Sequence, residues 1–130
     1  MTFDSEAVFR SGVVYGLISN MPMAARIVKA AKAHHWEVRN FDRSEALLES
    51  AKQKPPCLVI LDCDGCEAEG FKVLKVLAGD ADLKKVPVVG YVSLSKMAVK
   101  TEVERAGCLR VYPKTEFLRI LDDLMVRYAR

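Results

Sequence analysis

The 130-residue chain has no apolar run long enough to cross a bilayer, and its polar opening, Met1 to Arg10, lacks the charged-then-apolar pattern of a secretory signal. It also lacks a strong charge of either sign: 20 Lys and Arg against 17 Asp and Glu leave +3, spread along the sequence. There is no basic block, and no interleaving of basic with aromatic residues to mark a nucleic-acid surface. Seven glycines and five prolines are too few for collagen or a low-complexity segment. These absences argue against membrane and nucleic-acid partners and lead to the expectation of a soluble, cytoplasmic protein. Cysteine is scarce as well: Cys57, Cys63, Cys66 and Cys108, without a secretory signal, are expected as reduced thiols rather than a disulfide framework.

What is present suits one packed core: 51% of residues are hydrophobic and 28% charged, over a length typical of a single domain. Residues from about 1 to 11 read as an N-terminal extension, and no linker, repeat or output domain is expected. Val13 to Ile18 is a short apolar run halted by Ser19-Asn20, after which Pro22 suits the first turn of a helix. Met23, Ile27, Ala31 and His34 then recur at helical spacing. Trp36 to Phe41 alternates as a half-exposed strand, and Asp42-Arg43-Ser44-Glu45 reads as a capping box opening a helix that Pro55-Pro56 ends. Cys57 to Leu61 is continuously apolar and stops at Asp62; Phe71, Val73, Leu74 and Leu77 mark a third helix, ending near Gly79. Val86 to Val92 is a fourth strand, Val99 to Ala106 a fourth helix capped by Gly107, and Leu109 to Tyr112 a fifth strand. Thr115 is expected to cap a last helix carrying Phe117, Leu118, Leu121, Leu124, Met125 and Tyr128.

Strand and helix alternate five times, which argues for a doubly wound α/β fold, a parallel sheet covered on both faces. The first, third and fourth strands are apolar on both sides, as buried central strands must be. The second and fifth carry charge and read as edges, which implies the sheet order 2-1-3-4-5. Sites in such a sheet form at the carboxyl ends of the strands, so Ser19, Asn20, Asp62, Asp64, Val92, Ser93 and Lys114 line the candidate pocket.

At these residues the sequence resembles the receiver domain of two-component response regulators, over nearly its whole length. Leu58-Val59-Ile60-Leu61-Asp62 is similar to the strand whose terminal carboxylate accepts a phosphoryl group in that family. Thirty residues on, Val92 stands at the position of the family's phosphoryl-binding Ser/Thr. Ala106-Gly107 matches the end of the family's fourth helix, and seven residues later Lys114 falls at its lysine position. The resemblance implies a flavodoxin-like three-layer sandwich and a signalling role in a phosphorelay.

The departures concern the chemistry. Ser19-Asn20 replaces the acidic pair that holds Mg²⁺ in the family. That leaves Asp62 and the backbone carbonyl of Asp64 as oxygen ligands, and the expectation is weak Mg²⁺ binding or none. Val92 cannot hydrogen-bond a phosphoryl oxygen; Ser93 is adjacent, but a plain register turns its hydroxyl away unless a bulge intervenes. Where the family often has a switch aromatic stands Val111, with Tyr112 facing the opposite side. Asp62 is therefore either a phosphoacceptor or a cap for the following loop. Lys114 is either a solvated lysine or a partner for Asp62 that holds the pocket without phosphate. Ser19 and Asn20 read most simply as turn and N-cap residues.

Cys63-Asp64-Gly65-Cys66 has the spacing of a redox dithiol between a strand and a helix, but Asp62 and Asp64 flank Cys63 with charge that opposes thiolate formation. A Cys₄ zinc site is not expected, and His34-His35 needs no role beyond closing its helix. The resulting expectation is a stand-alone pseudo-receiver, not an enzyme, acting as a monomer or weak homodimer on a protein partner. The resemblance implies contacts around the fourth helix, fifth strand and fifth helix, where the sequence offers Tyr112. A receiver phosphorylated on Asp62 by a histidine kinase is the second reading and a dithiol redox protein the third.

Overall fold

Short runs rich in valine and other apolar residues build the strands of this chain, and the computed structural model describes residues 12–128. The strands are β1 (Val13–Leu17), β2 (Glu37–Phe41), β3 (Leu58–Asp62), β4 (Val88–Val92) and β5 (Arg110–Pro113). They pair in parallel throughout, in the order β2-β1-β3-β4-β5. Every residue of β1, β3 and β4 is buried, whereas β2 is half exposed, as the reading of central and edge strands requires. The proposed N-terminal extension lies outside the described residues.

Among the described residues, six helices cover the sheet: α1 (Met21–Ala33), α2 (Ser44–Gln53), α3 (Glu67–Gly79), α4 (Ala98–Arg105), α5 (Lys114–Arg119) and α6 (Leu121–Tyr128). Because successive strand side chains point to opposite faces, the core divides in two. Tyr15, Leu17, Val59, Leu61, Val92 and Val111 pack against α2, α3 and α4 through Leu47, Val73, Leu77 and Val103. Val14, Ile60, Val89, Tyr91 and Tyr112 pack against α1, α5 and α6 through Ile27, Phe117, Leu124 and Met125.

Several local expectations need correction. Trp36 precedes β2 instead of starting it; its N–H donates to the Ala31 carbonyl at 2.8 Å, closing α1 through His35 at φ +65°. The capping box at Asp42–Glu45 does not form. Arg43 is the N-cap without a side-chain bond, and Glu69 of α3 accepts from the Ser44 N–H at 2.7 Å instead. β5 begins at Arg110, which leaves Leu109 outside it and 60% exposed. Thr115 does not cap the last helix: Pro113 stands at the cap, Lys114 opens α5, and a break at Ile120 separates α6. Tyr112 is buried rather than offered to the surface, with the Arg110 guanidinium 5.1 Å over its ring.

Candidate functional site

At the carboxyl edge of the sheet, β1 hands over to α1 through Ser19 and Asn20. The Asn20 side chain accepts from the Met23 N–H at 3.1 Å, so it is the N-cap its residue type suggests. Ser19 turns to Asp62, donating from both its backbone N–H and its hydroxyl to Oδ2 at 3.3 Å each. The other carboxylate oxygen, Oδ1, accepts from the backbone N–H groups of Asp64 (2.9 Å) and Gly65 (3.2 Å). Asp62 thus caps its own loop. It is 1% exposed, and these four donors are all uncharged. A carboxylate offers about four lone-pair sites, so its capacity is filled.

Gly65 is where this packing requires glycine: a Cβ there would stand 2.6 Å from the Ser19 hydroxyl.

Asp64 collects what the sequence led us to expect at Asp62. The Lys114 ammonium lies 3.1 Å from Asp64 Oδ2, so Lys114 is neither a solvated lysine nor the partner of Asp62, the two alternatives its position left open. Ser93 donates to Asp64 Oδ1 from its backbone N–H at 2.8 Å and its hydroxyl at 3.0 Å. The Ser93 side chain is therefore turned inward, contrary to a plain extension of the strand. β4 ends at Val92, and Ser93 opens a 3-10 turn at Leu94–Lys96, where strand alternation no longer applies. Val92 keeps to the alternation and is buried against the α2–α4 layer. Lys96, at the end of that turn, donates its ammonium to the Asp64 backbone carbonyl at 2.9 Å. Burial pushes the Asp64 carboxyl up, but the Ser93 N–H, the Lys114 ammonium and the Ser93 hydroxyl outweigh it and hold the group below the usual range.

Beside this network, Tyr91 is the register partner of Asp62 and is fully buried, its ring 5.0 Å from that of Phe117. Its hydroxyl finds no hydrogen-bond partner among the described residues, and burial together with the Asp62 charge pushes the phenol far above its ordinary value. Tyr91 is neutral at any physiological pH.

The thiols sit in surroundings opposite to those of an activated dithiol. Burial pushes Cys63 up to about 12, with Cys108 and Asp62 adding to it, and burial raises Cys66 as well. Cys57 and Cys108 are pushed up to about 11 and about 12 by burial. All four are free.

Among the described residues no three His, Cys, Asp or Glu side chains gather into a metal-binding group, and no helix is long and apolar enough to cross a membrane. Lys96, Tyr91 and Gly65 were not singled out from the sequence. Tyr91 reads as an ordinary core residue of an apolar strand, and Lys96 as a solvated loop lysine; the pairing that joins them to the site is long-range.

No protein-family model matches the chain, and no curated protein matches it in sequence. The likeness is in three dimensions. A response regulator from Hahella chejuensis superposes with a TM-score of 0.78 at 20% identity, over 91% of this chain and 95% of that one. The fold is that of a response-regulator receiver domain. Chemotaxis response regulator CheY4 of Vibrio cholerae matches with a TM-score of 0.73 at 15% identity, over 90% of this chain and 98% of that one. The receiver domain of NtrX from Brucella abortus gives 0.73 at 16%, over 90% and 97%. In this receiver-like chain, Asp62 ends β3 and Lys114 follows β5, where the resemblance placed them.

Proposed function

We propose that this chain is a pseudo-receiver: a signalling module that acts by protein–protein contact and does not depend on Mg²⁺-assisted phosphorylation of Asp62. One observation carries the reading. The oxygens that a cation would need are already engaged by the chain's own donors, including an ammonium group on the Asp64 carbonyl. Mg²⁺ favours anionic oxygens in a near-octahedral set. Here it would have to displace the Ser19 and backbone donors from Asp62 and approach the ammonium groups of Lys96 and Lys114. At an effective dielectric of 20, two unit charges 4 Å apart repel by about 4 kcal/mol, reduced for Lys96 by its exposure to solvent. The donor set does not fit the ion. Without it, charge developing on a transferred phosphoryl group would be poorly neutralised.

The dithiol reading finds no support in thiols whose protonated forms are stabilised by burial. As a binding module, the chain would offer the face around α4, β5 and the α5–α6 pair to a protein partner, without help from the buried Tyr112. The test is amide NMR of the chain titrated with Mg²⁺ and beryllofluoride. No saturable shift at Asp62, Ser93 or Lys114 is expected. Saturable shifts at those three positions would overturn the proposal in favour of a phosphorylatable receiver.

A further inference from the structure

Asp64 has an unusual set of partners for a loop carboxylate. One oxygen takes the backbone N–H and the hydroxyl of Ser93 from the end of β4, and the other takes the ammonium of Lys114 from the end of β5. Its backbone carbonyl takes the ammonium of Lys96. Two strand ends and the following turn thus converge on one residue of the β3–α3 loop. A hydroxyl, a backbone N–H and an ammonium aimed at one point make an anion seat; neutral and charged donors of this kind bind carboxylate and phosphate alike. The seat is half-buried: the Asp64 and Lys114 side chains are 21% and 32% exposed, so the pairing is only partly screened by water.

We propose that Ser93 and Lys114 form an anion-binding site whose resident ligand is the chain's own Asp64 carboxylate, an internal anion that permanently holds the β4–α4 turn against the end of β5. The proposal deepens the pseudo-receiver reading and rests on it, because a permanent internal anion leaves no place for a transferred one. Its consequence is conformational. The turn that carries Ser93, Leu94 and Lys96 is held in one arrangement without any chemical event, with Leu94 turned 71% to solvent. An intramolecular ligand at high effective concentration excludes a free anion of similar chemistry unless that anion is abundant.

The experiment removes the internal anion and supplies an external one. In the native chain, inorganic phosphate is expected to cause no saturable amide shift at Ser93 or Lys114. In Asp64→Ala, the Ser93–Lys96 amides should move from their native positions, and phosphate should then bind at least about tenfold more tightly than to the native chain. Bound phosphate should return those amides toward their native shifts. Asp64→Ala with unmoved Ser93–Lys96 amides and no phosphate response would overturn the proposal, as would saturable phosphate binding by the native chain at Ser93.

Should Asp64→Ala fail to fold, the native chain gives a second measurement. The Asp64 carboxyl carbon should titrate below the ordinary aspartate range, with the Ser93 amide proton following the same midpoint. An ordinary midpoint, with Ser93 unresponsive, would also overturn it. A shift at Asp62 with Mg²⁺ and beryllofluoride tests the pseudo-receiver reading, and a phosphate shift at Ser93 without metal or fluoride tests the Asp64 seat, so failure of this inference is distinguishable from failure of that reading.

Discussion

A methyl group at Gly90 would stand 3.1 Å from the Cys63 sulfur and 3.2 Å from the Leu61 carbonyl oxygen, both in the packed centre of the sheet. Neither atom can retreat far: Cys63 is buried, and the carbonyl belongs to β3. Gly90→Ala is therefore expected to destabilise the fold by about 1–3 kcal/mol, the usual range for overpacking a core. Urea unfolding would measure it, and adding Cys63→Ala should recover part of the loss by removing the nearer obstacle. Unchanged stability of the single variant would contradict this packing. Asp64 has an expected effect of its own on stability. Its folded-state pKa lies below the ordinary value, so it stabilises the fold above the unfolded-state pKa, and that contribution is lost as pH falls through the folded value. Asp64→Asn should then flatten the acid side of the stability–pH curve below about pH 4. The individual pocket residues were legible in the sequence, but their pairing was not. Lys114 was placed by spacing, yet it chose between two aspartates two positions apart, and only the turn of the β3–α3 loop decides that.

Several strand and helix ends in this chain are closed by side chains of distant elements. Asn40, near the end of edge strand β2, spans Ile18 with its side-chain amide: the Ile18 N–H donates to Oδ1 at 3.1 Å, and Nδ2 donates to the Ile18 carbonyl at 2.9 Å. Ile18 is buried, so Asn40→Ala would leave two backbone groups without partners. A loss of about 1–3 kcal/mol in urea unfolding is expected, whereas Asn40→Asp, which keeps only the acceptor, should restore part of it. α2 likewise begins on a carboxylate from α3. Glu69 accepts from the Ser44 N–H and lies 3.0 Å from the Lys72 ammonium, which hold its carboxyl down to about 2. A depressed carboxyl stabilises above its unfolded pKa, so this contribution should disappear between about pH 4 and pH 2. Glu69→Gln should lower the unfolding midpoint at pH 7 and leave it unchanged at pH 2. The helix itself is legible from its apolar spacing, but its start is not. The sequence pattern offered a local box, while the structure closes the Ser44 N–H at the start of this helix with a residue 25 positions away. At the other edge of the sheet, Glu104 of α4 accepts from the Val111 N–H at 2.8 Å and occupies a donor that an exposed edge would otherwise present.

Across the whole molecule, strand order was legible because burial and charge report on position: the strands apolar on both sides lie inside the sheet, and the charged ones close it. The same logic could not show whether the carboxyl edge holds a cation, because that depends on donors from four separate loops converging. Their arrangement allows a test of the pseudo-receiver reading on the stability of the entire fold. A ligand that binds only the folded state raises its stability by RT ln(1 + [L]/Kd). The native chain is expected to melt at the same temperature with and without Mg²⁺, since Ser19 and Asn20 bring no charge and Lys96 stands on the Asp64 carbonyl. Returning carboxylates through Ser19→Asp and Asn20→Asp supplies anionic ligands, and aspartate at position 20 remains a competent N-cap for α1. Adding Lys96→Ala frees the carbonyl oxygen. The triple variant should then gain about 1.4 kcal/mol at a Mg²⁺ concentration roughly tenfold above its Kd, a rise of about 5 °C in Tm. The double variant that keeps Lys96 should gain less. A native chain whose Tm climbs with Mg²⁺ to the same degree would mean that the ammonium and the neutral pair do not close the site.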